Sequence, residues 1–153
     1  MREEGQQRLL VVTGGAHRVG IPLASVRETS RALALVPLRG APPFVLGLAV
    51  MRGASVPVVD LPALLGGNTS SAELGRFVRL ELDGRSVALA VTHVEGVLAL
   101  ESSDFSAIPP LFAGAAGSTL EALAQSDAEL LFVLSAARLV PHLPSPLEEA
   151  QRP

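Results

Sequence analysis

The chain has 153 residues, of which 48% are hydrophobic and 18% charged, enough to bury a core and to exclude a disordered polypeptide. The net charge of −3 gives no electrostatic reason to expect nucleic acid, and without cysteine there is neither a disulfide framework nor thiolate chemistry. All twelve cations are arginines, which excludes a Schiff-base or Walker lysine. Because no apolar run reaches the ~18 residues of a membrane helix and the polar start MREEGQQR is unlike a secretory signal, we expect a cytoplasmic protein.

Short strands separated by turn residues are predicted for the beginning of the chain. Arg8–Thr13 and Arg18–Leu23 flank Gly14-Gly15, a plausible hairpin turn. Leu33–Leu38 is apolar and short enough for a further strand, and Arg39–Pro43 is a loop rich in glycine and proline.

The most informative stretch is Phe44–Gly66, FVLGLAVMRGASVPVVDLPALLG. Val45–Met51 and Ala54–Val59 are too short for typical helices and rich in valine and leucine, as in strands buried on both faces or lining a small barrel. Arg52-Gly53 joins them. Asp60 can then cap a short helix over Leu61–Leu65, which ends at a glycine pair.

The remainder of the chain repeats this mixture of strands and turns. A polar connector, Asn68–Gly75, precedes strands at Arg76–Leu82 and Ser86–Thr92, which flank a strong hairpin signal at Asp83-Gly84. Thr119–Gln125 fits either a helix or a strand. Near the end, Ser135 can cap a second short helix before Pro141, and the proline-rich tail Leu143–Pro153 is predicted to be mobile.

A faint internal repeat relates the two halves. Val19–Val26 aligns with Val87–Val94 at an offset of 68 residues, and Val56–Asp60 aligns with Leu131–Ser135 at an offset of 75. Each half then has a capping residue and a short helix. Two similar offsets in the same order predict a duplicated barrel, and many short strands predict an all-β architecture.

The central stretch resembles the signature of the CheW-like coupling domain of bacterial chemosensory systems. The matching residues are Gly47, Met51-Arg52-Gly53 and Pro57–Leu61, with weaker matches at Val19–Glu28, Val87–Val97 and Glu129–Val140. The resemblance implies two five-stranded SH3-like barrels side by side with short helices, and a strand rather than a helix at Thr119–Gln125. It places the first subdomain at roughly 9–66, a connector at 67–75 and the second subdomain at roughly 76–142.

The resemblance also implies partners and binding residues. The tip of a methyl-accepting chemoreceptor would lie in a groove between the barrels, and the regulatory domain of a histidine kinase would contact Glu28 and Arg52. The groove positions implied by the family are Val26, Gly47, Phe77, Val94 and Val97. Without the resemblance, the three valines and Phe77 would be core residues, and Arg52 could equally be a structural guanidinium bound to carbonyls or to Glu28.

No catalytic constellation is visible in the sequence. The three histidines lie in separate segments without metal-ligand spacing, and no serine lies in a Gly-x-Ser-x-Gly elbow. We therefore expect a non-enzymatic adaptor without metal or cofactor. Two alternatives stay open: a member that binds the receptor but not the kinase, since Val50, Thr92 and Ser135 depart from the family's polar pattern, and a β-barrel sensor of small molecules.

Charge is distributed unevenly along the chain. The segment His17–Gly53 has five arginines and one acid, a net charge of +4, whereas His93–Leu130 has six acids and no arginine, a net charge of −6. These segments are either two ordinary solvated faces or opposite poles that orient a docking partner.

Overall fold

The computed structural model describes residues 6–66, 74–108, 119–127 and 129–143. Within these residues the protein is all-β with two short α-helices, which confirms the predicted fold class. The strands are β1 (Gln6–Gly14), β2 (His17–Pro22), β3 (Val26–Arg31), β4 (Val45–Met51), β5 (Ala54–Asp60), β6 (Arg76–Leu82), β7 (Arg85–Val91), β8 (His93–Glu101), β9 (Phe105–Ser106), β10 (Leu120–Ser126) and β11 (Glu129–Leu134). The helices are α1 (Leu61–Leu64) and α2 (Ala136–Leu139).

The strands form two sheets. One has five strands in the order β3-β6-β7-β5-β4, and the other has six in the order β8-β1-β2-β11-β10-β9. The sixth strand is β9, which has only two residues and follows the opposite edge strand β8 through the 3-10 turn Ser102–Asp104. The two edges of the six-stranded sheet are therefore adjacent in sequence, so the sheet curls towards closure.

Apolar residues on alternate sides of the strands build three cores. In β7, Val87, Leu89 and Val91 belong to a central core that also includes residues of both helices, whereas Ala88 and Ala90 belong to the core of the five-stranded sheet. In β1 the alternate residues divide between the central core and the core of the six-stranded sheet. These strands are buried on both faces, which explains their nearly continuous apolar sequences.

The strand pairing has the symmetry expected of a duplicated chain. Val58 of β5 pairs with Ala88 of β7, and Val133 of β11 pairs with Gly20 of β2, in both cases in parallel. The repeat offsets of 75 and 68 residues relate these two pairs to each other. Each sheet thus receives strands from both halves of the chain. The division into subdomains at residues 67–75 stays a prediction.

Both helices are capped as predicted. The Asp60 carboxylate accepts a hydrogen bond from the backbone N–H of Ala63, and the Ser135 hydroxyl accepts one from the N–H of Arg138. Gly66, with φ of +88°, follows α1 in a conformation that side chains resist. Most of the predicted connector, residues 68–73, and the predicted tail from residue 144 lie outside the described residues.

Some local predictions differ from the structure. Leu33–Leu38 is not a strand; only Val36 pairs, through a bridge to Leu48 on the edge of the five-stranded sheet. The first hairpin turns at Gly15-Ala16, because Gly14 still pairs with His17. By contrast, the strand that the resemblance implies at Thr119–Gln125 is confirmed, since β10 covers Leu120–Ser126 and pairs with β11.

Candidate functional site

The turn between β4 and β5 projects a charged side chain into solvent. Arg52 and Gly53 have φ angles of +53° and +78°, the signature of a two-residue type I′ hairpin turn. The Arg52 side chain is 75% exposed, although it is flanked in sequence by buried strands. The turn therefore exposes to solvent a guanidinium that lies in sequence between two apolar strands and would be costly to bury.

Glu28 of β3 binds Arg52 and a second arginine. Its Oε2 accepts hydrogen bonds from Nε of Arg52 at 3.3 Å and from Nε of Arg79 at 2.9 Å, while Oε1 accepts one from Nη2 of Arg52 at 3.1 Å. The hydrogen bonds from Arg52 and then Arg79 hold the pKa of the Glu28 carboxyl below its usual range, and Glu28 in turn raises the pKa of Arg52. The structure thus brings together the two residues of the predicted kinase interface.

A β-bulge determines which side chain faces Arg79. Val26 is opposite Leu80 and Glu28 is opposite Arg79, so Arg27 is the extra residue of β3. In a regular register Arg27 would face Arg79, and two like charges would oppose each other across the strands. Arg27 instead pairs with Glu81, its Nε lying 3.1 Å from Oε1. Arg79 was not among the residues predicted for the interface.

A groove of about 460 Å³ lies where the chain crosses from one sheet to the other. The 3-10 turn Leu23–Ser25 leads from β2 of the six-stranded sheet to β3 of the five-stranded sheet. Val26 follows this turn directly. The lining residues are three polar ones at the start of β1 and three apolar ones at the end of β2 and in the following turn: Gln6, Gln7, Arg8, Pro22, Leu23 and Ala24.

The five predicted groove residues occupy different environments. Val26 and Val94 are half-buried against the central core, but near opposite ends of β7. The partner of Val26, Leu80, pairs with Val87 near the start of β7, whereas Val94 lies in β8, three residues beyond the end of β7. Phe77 is buried inside the five-stranded sheet. Val97 on β8 is 56% exposed.

Gly47, the remaining predicted groove residue, is buried at a bulge of β4 with φ of +151°. A Cβ atom there would lie 2.5 Å from the carbonyl oxygen of Val36. Glycine is required here because the segment around Val36, which lies along the edge of β4, approaches the backbone too closely for a side chain. None of the five predicted residues lines this groove; Val26 is the nearest in sequence, two residues after Ala24.

The basic and acidic segments of the chain meet within the fold. Arg18 of β2 forms ion pairs with Glu95 of β8 and with Glu129 of β11. The hydroxyl of Thr13 donates to Glu95, and this hydrogen bond is the main cause of the lowered pKa of that carboxyl, with Arg18 contributing less. The six-stranded sheet therefore neutralises one basic residue internally, and Arg18 is not a free docking charge.

Asp60 is the one charged residue buried completely within the described residues. Its Oδ1 accepts the bond from Ala63, whereas Oδ2 is buried without a hydrogen-bond partner in the part of the chain that the structure describes. Burial raises its pKa, and the bond from Ala63 opposes this shift. Asp60 acts as a helix cap, in line with the interpretation of the sequence.

The described ranges contain no group of three or more side chains arranged to hold a metal ion. Across the same residues, every helix is too short to cross a bilayer. His17 packs edge-on against Phe132, their ring centroids 5.9 Å apart, which gives that histidine a structural environment.

Comparison with known proteins relates the chain to chemotaxis scaffolds. It is 31% identical to Protein FrzA of Myxococcus xanthus over 124 residues, covering 80% of this chain and 76% of that protein. It is 27% identical to the chemotaxis protein CheW of Rhizobium meliloti (strain 1021) over 108 residues, covering 70% of each chain.

Its fold is similar to the crystal structure of the scaffolding protein TtCheW from Thermoanaerobacter tengcongensis. The TM-score is 0.76 at 20% sequence identity, over 84% of this chain and 88% of that one. The family described as CheW-like domain matches residues 8–143, nearly the whole described structure. The chain therefore belongs to the CheW-like domain family.

Proposed function

We propose that this protein is a non-enzymatic adaptor that links methyl-accepting chemoreceptors to a chemotaxis histidine kinase. The match of the CheW-like family to residues 8–143 carries this proposal. Its mechanism is simultaneous binding: an adaptor that holds a receptor and a kinase together raises the effective concentration of each near the other and sets their relative orientation. Such a role requires two separate surfaces and no reactive group.

The groove at the junction of the sheets supports receptor binding. A receptor tip is a helical hairpin with an apolar stripe, and an amphipathic helix binds with its apolar side against an apolar wall. Leu23 and Ala24 supply such a wall, and Arg8 with two glutamines supplies polar contacts along the opposite side. We assign the groove around Leu23 and Ala24 to the receptor, with Val26 close to its apolar wall in sequence; the other four predicted groove residues lie elsewhere in the fold and are not part of this assignment.

The Arg52 turn supports kinase binding. The side chain is exposed, fixed by Glu28 and located on the five-stranded sheet, away from the β1 residues of the groove. Arginine is enriched among residues that dominate interface energies because its planar fork binds acceptors with defined geometry. Two partners could therefore bind at once.

Pull-downs with the receptor signalling domain and with the kinase regulatory domain test the proposal. Ala24→Arg puts a long charged side chain into the groove without changing the core, because Ala24 is exposed. It is expected to weaken receptor binding at least about tenfold, ~1.4 kcal/mol, and to leave kinase binding unchanged. Ala34→Arg, at an exposed position outside the groove lining, is the matched control. Binding of the wild-type chain to neither domain would refute the proposal.

A receptor-only adaptor is the second candidate, and Val50 favours it. The family often has asparagine at this position, two residues before Arg52, and here Val50 is 67% exposed. The other departures keep local roles: the Thr92 hydroxyl accepts a hydrogen bond from the N–H of Gly15, and Ser135 caps α2. Binding of the receptor domain alone, with no kinase binding, would establish this candidate.

A further inference from the structure

We propose that Arg79 is a positioning residue for the partner interface: it fixes the Glu28 carboxylate, which in turn presents the free edge of the Arg52 guanidinium to a carboxylate of the bound protein. The proposal rests on the kinase-binding role given above for the Arg52 turn. It assigns different tasks to the two predicted interface residues, since Arg52 makes the contact and Glu28 organises it.

The occupancy of the Glu28 oxygens supports this division. Oε2 accepts from both Arg79 and Arg52, and Oε1 accepts from Arg52. The carboxylate is 22% exposed, compared with 75% for Arg52. A partner group therefore reaches the guanidinium far more easily than the carboxylate between the two arginines.

Arg79 is held more firmly than Arg52. Its side chain is only 16% exposed, and its Nη1 donates to the Ser86 hydroxyl on β7 at 3.3 Å in addition to the Nε bond to Glu28. An isolated ion pair between exposed side chains is weak because two flexible chains must be ordered. Here the β3 bulge and the anchored Arg79 have already ordered the carboxylate, so Arg52 loses less conformational entropy when it binds Glu28.

The charge balance indicates the chemistry of the partner group. Two guanidinium groups share one carboxylate, which leaves the cluster with a net charge of +1. Arg52 uses Nε and one Nη2 hydrogen on Glu28, so its Nη1 edge makes no hydrogen bond to the described residues. Guanidinium edges bind carboxylates through charge-assisted, directional hydrogen bonds. An aspartate or glutamate of the partner fits this exposed positive edge.

Arg79→Met tests the proposal because it keeps an unbranched apolar side chain and removes the charge and all donors. Arg27→Met is the matched control: it removes the same charge from the neighbouring ion pair with Glu81 and does not touch Glu28. The affinity of each variant for the kinase regulatory domain is measured by titration calorimetry. The exchange of the Arg52 Nε–H proton with water is measured by NMR on the free protein.

Arg79→Met is expected to weaken kinase binding about tenfold and to accelerate the Arg52 Nε–H exchange, whereas Arg27→Met changes affinity less than about twofold. Arg52→Ala together with Arg79→Met is expected to bind no more weakly than Arg52→Ala alone, because Arg79 acts through Arg52. Additive losses, or unchanged exchange and affinity in Arg79→Met, would overturn the proposal. If Arg79→Met does not fold, Arg79→Lys is measured against the same expectations, since lysine cannot reproduce both bonds of the planar fork.

Failure of this inference is distinguishable from failure of the proposed function. If the wild-type chain does not bind the kinase domain, the kinase-coupling role is wrong. The NMR exchange experiment needs no partner, and slow exchange of Arg52 that does not depend on Arg79 would refute the positioning role by itself. Receptor binding through the groove should be unaffected by Arg79→Met, because Arg79 bonds to Glu28 and Ser86 and not to a groove-lining residue.

Discussion

Replacing Phe77 with alanine distinguishes a core residue from a residue that binds the receptor. The ring is 2% exposed and packs in the core of the five-stranded sheet, where Ala88 and Ala90 are its small neighbours on β7. These alanines cannot fill the space that the ring would leave, because they are held on a strand that is buried on both faces. Truncation of a buried phenylalanine costs about 3–5 kcal/mol, a large part of the 5–15 kcal/mol that stabilises a typical domain.

Urea denaturation followed by far-UV circular dichroism measures this loss as a change in the free energy of unfolding. Val97→Ala is the control, since Val97 is more than half exposed and its truncation should cost less than about 0.5 kcal/mol. A Phe77→Ala protein within about 1 kcal/mol of the wild type would refute the packing argument. If such a stable variant also failed to bind the receptor domain, Phe77 would be a contact residue.

Three further changes should act as the local structure dictates. Gly47→Ala is expected to lower the free energy of unfolding by about 1–3 kcal/mol in urea denaturation, because of its positive φ and the nearby Val36 carbonyl; an unchanged value would contradict that close approach. Burial raises the pKa of Asp60 above 3.8, so the folded protein binds the carboxyl proton more tightly than the unfolded chain does. The stability of the wild type relative to Asp60→Asn should therefore be greatest at or below pH 3.8 and fall as pH rises through the higher folded-state pKa. The pH dependence of stability from Glu28 has the opposite sign, since its pKa lies below 4.5: the advantage of the wild type over Glu28→Gln should be present above pH 4.5 and disappear as pH falls through the folded-state pKa. For Asp60 and for Glu28 alike, a difference in the free energy of unfolding between wild type and variant that does not vary with pH would contradict the assigned pKa shift.

Local sequence signals predicted many strands and turns well. Val45–Met51 and Arg76–Leu82 are strands with the predicted bounds, and Asp83-Gly84 forms the predicted hairpin turn, with φ of +52° and +79°. These features depend on neighbouring residues, so the sequence can specify them. The strand Val26–Arg31 lacks a continuous apolar run because alternate residues are exposed, and Leu33–Leu38 is apolar but mostly lies against an edge without pairing.

The site was predictable only in part, because one of its contacts depends on the register between distant strands and not on the local sequence. The proximity of Glu28 and Arg52 followed from the family resemblance and from the need of a lone guanidinium for an acceptor. Arg79 could not be identified, because its contact with Glu28 depends on a bulge at Arg27 that shifts the register by one residue. A register shift of this kind is determined by pairing between distant strands, and no local residue pattern marks it.

The groove shows the same limit. Its lining combines the start of β1 with the end of β2 and the turn that follows, and only the folded arrangement reveals that these segments lie beside each other at the crossing between sheets. The sequence repeat, in contrast, predicted a duplication, and the equivalent parallel pairs of β5 with β7 and of β11 with β2 agree with it.

Co-sedimentation of the kinase with receptor-containing vesicles tests the adaptor role most directly. Purified kinase is incubated with vesicles that carry the receptor signalling domain, with and without this protein, and the kinase in the pellet is quantified. The adaptor role predicts that the wild-type protein increases the sedimented kinase, that Ala24→Arg abolishes the increase, and that Ala34→Arg does not. An equal amount of kinase in the pellet with and without the wild-type protein would contradict the account.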